Sequence, residues 1–65
     1  MKPTKEEMAQ FERWFDFYSD MFSRISDDGL KGYWWLYGRD SEDTAPPREM
    51  ACWSAVNAAM QQRGL

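Results

Sequence analysis

Apolar residues recur at Met8, Phe11, Phe15, Tyr18, Phe22 and Ile25, spaced alternately three and four apart. Only an α-helix gathers such positions on one face. A long helix is therefore the first element this chain must make. Thr4-Lys5-Glu6-Glu7 stands just before it and reads as a capping box, with Thr4 as N-cap and Glu7 at the third helical position. The acids also suit the positive end of the helix dipole. Gly29 is expected to end the helix in a left-handed conformation, with Leu30 packed back on Ile25. That places the first helix at residues 5–28.

Trp14 and Met21 widen the apolar face to roughly 140° of the helix circumference, and Phe17 lies beyond that arc. One partner helix of ordinary width would not cover it. Glu12, Asp16 and Asp20 follow at i, i+4 on another face. They read first as a solvated strip, and second as acids able to steer the protein toward a basic partner surface.

A second helix is legible at residues 46–63. Thr44 is the expected N-cap, and Pro46 and Pro47 fit a first turn whose N–H groups have no intrahelical partner. Gly64 is the expected C-cap. Met50, Trp53, Val56, Asn57 and Met60 make one stripe. The opposite side holds Ala51, Ala55, Ala58 and Ala59, which reads as helix propensity rather than as a seat for another backbone. Asn57, polar within an apolar stripe, is either a satisfied core amide or a device fixing register between packed helices.

Between the two lies Tyr33-Trp34-Trp35-Leu36-Tyr37, bounded by Gly32 and Gly38 and followed by the polar loop Arg39-Asp40-Ser41-Glu42-Asp43. Aromatics favour strands, but no other segment offers a partner strand. A short helical or irregular segment is the better reading, with Gly38 as its C-cap. Adjacent tryptophans point different ways in either conformation. One of Trp34 and Trp35 is expected in the core and the other on the surface. The architecture expected is all-α and a single domain over residues 1–65: a helical hairpin of two long helices with the aromatic segment between them.

Composition removes several function classes. The 65 residues contain one cysteine, Cys52, and no histidine. An internal disulfide is thus impossible, and neither a zinc site nor the commonest general base is available. Cys52 lacks a histidine to activate it and reads as a small core thiol. Asp40, Glu42 and Asp43 do not meet a calcium-loop pattern. The expectation is no enzyme, no metal and no cofactor. Net charge is −3, and the eight Lys and Arg are scattered along the chain, which disfavours nucleic acid and anionic membranes. Gly29-Leu30-Lys31-Gly32 has the G-x-x-G form of an RNA-clamping loop, but four residues with two fixed glycines arise often by chance. No run long enough for a membrane span or a signal-peptide core is visible, so a cytoplasmic protein is expected.

What remains is recognition of another protein. Trp, Tyr and Met are residues that interfaces prefer, and 17% of this chain is aromatic. The sequence reads as a small acidic inhibitor or regulator, of the kind a phage or mobile element encodes, that occludes a site on a partner. The partner-binding candidates are Tyr33, Trp34, Trp35, Tyr37, Phe17, Asp16 and Asp20. A homodimer is also expected, from the wide apolar arc, the alanine side of the last helix, and Asn57. The alternatives are a nucleic-acid module using Tyr33–Tyr37 as a stacking platform, and a structural subunit of a larger assembly.

Overall fold

The computed structural model describes residues 2–38 and 46–65. The Thr44 cap and the polar loop 39–43 lie outside the described residues. Three helices form, α1 (Lys5–Arg24), α2 (Asp27–Tyr37) and α3 (Pro47–Arg63), with no strand among the described residues. Among the described residues the regular structure is all helical, with two long helices and a shorter one between them in a hairpin-like arrangement.

The start of α1 is the capping box. The Glu7 amide donates to the Thr4 hydroxyl at 3.1 Å, and the Thr4 amide donates back to the Glu7 carboxylate at 3.3 Å. Its end corrects the sequence reading. The helix stops at Arg24, not residue 28, because Ile25 and Ser26 are extended, with ψ of 162° and 161°. Ser26 is itself an N-cap, its hydroxyl accepting the Gly29 amide at 3.1 Å, and Asp27 and Asp28 follow in the first turn. Gly29 therefore does not close α1 in a left-handed conformation. It lies in the first turn of α2, and the only positive φ among the described residues is at Gly64. Leu30 enters the core from α2, not as a cap contact.

The aromatic run is helical, as the lack of a partner strand required, and Gly38 ends it, its amide bonding the Trp34 carbonyl at 2.8 Å. Gly64 closes α3 with φ of 70°. The Leu65 amide reaches the Met60 carbonyl at 3.0 Å and the Gly64 amide reaches that of Gln61 at 3.2 Å, a Schellman closure.

Both α1 and α2 pack on α3. Phe22, Leu30 and Val56 are the largest fully buried side chains, joined by Ala51, Cys52, Ala55 and Ala59. Val56 of the expected stripe is fully buried and Trp53 and Met60 pack against the core, but the alanine side of α3 is not bare. Three of its four alanines face the core, while Met50, Trp53, Asn57 and Met60 are half-buried. Small side chains there let the neighbouring helices approach closely, and the larger ones fill the edges. Arg63 ties the three helices at one end. It donates to the Phe22 carbonyl at 2.6 Å, an acceptor freed by the end of α1, and to Asp27 at 2.9 Å. Pairing Asp27 with Arg63 and Trp34 with Asn57 runs α2 antiparallel to α3.

Candidate protein-binding groove

Where α1 and α2 rise from α3 they leave a groove of about 450 Å³. Phe17, Tyr18 and Met21 of α1 form one wall, and Tyr33 and Tyr37 of α2 the other. Arg48, Glu49 and Cys52 come up from α3 between them. The two walls belong to one aromatic chain of contacts. Phe17 meets Tyr18 edge-on at 5.3 Å, Tyr18 stacks on Phe22 at 5.7 Å, Phe22 meets Tyr33 at 5.1 Å, and Tyr33 stacks on Tyr37 at 6.3 Å. Phe22 is the buried link, and the residues at both ends stay accessible: Phe17 is 54% exposed, Tyr33 36% and Tyr37 40%.

Arg48 is the fixed charge of the groove. Its Nε donates to the Tyr18 hydroxyl at 3.1 Å, and its guanidinium carbon lies 4.5 Å from the centre of the Trp14 ring. A hydrogen bond on one side and a cation–π contact on the other hold a long side chain in place. Cys52, deeper in the groove, is 4% exposed. Burial pushes its thiol above the ordinary range, although Arg48 pulls the other way. It is therefore a neutral packing group near pH 7, not a thiolate nucleophile. Phe17 also borders a more open depression beside Gln10, Arg13 and Trp14, so the accessible apolar surface continues along α1.

Of the residues singled out in the sequence, Phe17, Tyr33 and Tyr37 come together here. Trp34 does not. It turns the other way, half-buried against the core, and its indole N–H donates to Asn57 Oδ1 at 3.0 Å. Trp35 is 63% exposed but does not line the groove. The two tryptophans do point different ways, but neither is a core residue: Trp34 is half-buried with Asn57 as its hydrogen-bond partner, and Trp35 is mostly exposed. Asp16 and Asp20 are exposed on α1 away from the groove, and Asp20 pairs with Arg24 at 3.1 Å. Tyr18, Arg48 and Glu49 were not candidates in the sequence. Tyr18 and Arg48 are 30 positions apart, and no local pattern announces a contact between them.

Among the described residues, no group of three or more Cys, Asp or Glu side chains is placed to hold a metal ion. No described helix is long and apolar enough to cross a membrane. Comparison with protein-family models, characterised proteins and solved structures finds no match for this chain.

Proposed function

We propose that this chain is a non-enzymatic protein-binding module, acting as an inhibitor or regulator that covers a site on its partner with the aromatic groove. One observation carries this reading: Phe17, Tyr33 and Tyr37 remain accessible around an arginine already fixed in place. Tyr and Arg are the residue types that most often dominate binding energy. Here they are presented by helices, so little ordering is needed on association. The opposing reading, a stacking platform for nucleic acid, is weakened by the inward turn of Trp34 and by Glu49 in the same groove.

Self-association is the competing use of this surface. Two of the three features that suggested a homodimer have partners inside the chain. The alanine side of α3 lies in the core, and Asn57 is bonded to Trp34. The exposed arc at Phe17 remains, and it serves a different protein as well as a second copy.

The test is paired affinity capture from the native cell with wild type, Phe17→Ala and Asp16→Asn/Asp20→Asn, each first shown to be folded. A protein retained by wild type and the aspartate variant, and lost with Phe17→Ala, supports the groove. Loss with the aspartate variant alone moves the working surface to the outer face of α1.

A further inference from the structure

We infer that this chain forms a two-fold homodimer in which α1 of one copy lies antiparallel against α1 of the other, about an axis between Arg13 and Phe17. The inference stands apart from the groove reading, because the charged residues that set its register do not line the groove.

A second seam runs down α1. Glu6, Gln10, Arg13, Phe17, Asp20 and Arg24 are spaced alternately four and three apart, so they share one stripe of the helix. All six are exposed. At 100° per residue the stripe centres roughly 160° from the buried Phe22, so it turns away from the core. Gln10, Arg13, Trp14 and Phe17 stand at i, i+3, i+4 and i+7 and ring an open depression. That is the spacing with which a helix receives one side chain of a facing helix.

The charges on the stripe choose its occupant. Laid antiparallel about the two-fold axis, two copies bring Glu6 against the second copy's Arg24, Gln10 against the second copy's Asp20, and Arg13 against the second copy's Phe17, each twice. These are a charge pair, an amide beside a carboxylate, and a cation beside an aromatic ring, all attractive. The same register sets the second copy's Phe17 opposite the depression. A parallel, in-register pair would instead oppose like charges at Glu6, Arg13 and Asp20. A staggered parallel pair has no two-fold axis and does not close. Arg24 already bonds Asp20 of its own helix at 3.1 Å, yet its side chain stays 74% exposed and open to a second carboxylate. Trp14 and Met21, both half-buried, flank the stripe and extend its apolar contact. One aromatic side chain per copy between exposed charges makes a weak, salt-sensitive dimer.

The test is sedimentation of the full-length protein from micromolar to millimolar concentration, with wild type, Glu6→Arg, Arg24→Glu and Phe17→Ala. All variants are checked for helicity by circular dichroism. Wild type should dimerise reversibly, and more weakly at high salt. Each charge reversal turns two attractions into two repulsions and should weaken the dimer ~10-fold or more. An equimolar mixture of Glu6→Arg and Arg24→Glu should regain the wild-type strength, because each variant then meets its complement at both ends. Phe17→Ala should also weaken the dimer, and mixing it with either reversal should not rescue it. Should a reversal disturb the helix, Glu6→Gln and Arg24→Gln make the same test, each with a loss of ~3-fold. A protein that stays monomeric at millimolar concentration overturns the inference. So does a dimer indifferent to both reversals, or one whose losses mixing does not rescue. Each of these results leaves the groove reading standing, since Glu6 and Arg24 lie outside the groove.

Discussion

The indole N–H of Trp34 donates to Asn57 Oδ1 at 3.0 Å, joining α2 to α3 across 23 positions of sequence. The polar residue in the apolar stripe of α3 is thereby a satisfied amide within this chain. Removing it strands a partly buried donor. Asn57→Leu should cost about 1–3 kcal/mol of stability, read by urea denaturation followed by tryptophan fluorescence. The Trp34 indole proton should shift in the NMR spectrum of that variant. No change in either quantity would mean that the bond does not hold α2 in place.

Gly38 is part of the same arrangement. A Cβ at this position would fall on the Trp34 indole, well inside contact distance. Its φ of −94° is open to any residue, so the requirement is space and not backbone freedom. Gly38→Ala should force Trp34 from its seat and lower stability by about 1–3 kcal/mol, measured as a fall in the melting midpoint. Trp34→Ala should cost about 3 kcal/mol or more. Trp35→Ala, at a 63% exposed position, should stay within about 1 kcal/mol of wild type. Equal losses for the two tryptophans would contradict the assigned division.

The break between α1 and α2 rests on one hydroxyl. Ser26→Ala removes the acceptor of the Gly29 amide and should cost about 1 kcal/mol, while Ser26→Gly should cost only a few tenths. Helical content by circular dichroism should change little in either variant. A Ser26→Ala protein with a longer, continuous first helix and unchanged stability would show that the cap does not set the break.

How far the sequence foretold these features follows from the range of each interaction. Thr4, Glu7, Gly38 and Gly64 act within a turn of their own positions, and their roles could be read directly. Ser26-Asp27-Asp28 was equally local, a cap followed by two acids, but Gly29 offered a competing local signal for a helix end. The hydroxyl cap prevailed because Gly29 is used there for its amide, not for a positive φ. The burial of Ala51, Ala55 and Ala59 was not legible, since alanine pattern alone does not distinguish a bare face from a close contact. The groove was half legible: Phe17, Tyr33 and Tyr37 stood out as surplus apolar residues. Arg48 did not, because its value depends on Trp14 and Tyr18, both more than 25 positions away.

Cys52 gives a pH prediction whose sign is fixed by its burial. An ordinary thiol titrates near pH ~8.5, and burial raises the folded value above that. The unfolded chain therefore loses its proton first as pH rises. The contribution of Cys52 to stability is complete below about pH 8.5 and declines from there up through the folded value. Between about pH 7.5 and 9.5, wild type should lose more stability than Cys52→Ala, as urea midpoints will show. Parallel pH profiles would contradict a buried, neutral thiol. Alkylation of the folded protein by iodoacetamide should likewise be slow at neutral pH and fast in urea.

The most direct measurement of the groove's role is a map of backbone amide shifts in isotope-labelled protein titrated with the captured partner. The account predicts that the perturbed residues gather at Phe17, Tyr18, Met21, Tyr33, Tyr37, Arg48 and Glu49, on three helices but around one groove. Shifts concentrated at Asp16 and Asp20 on the outer face of α1, with the groove residues silent, would contradict it.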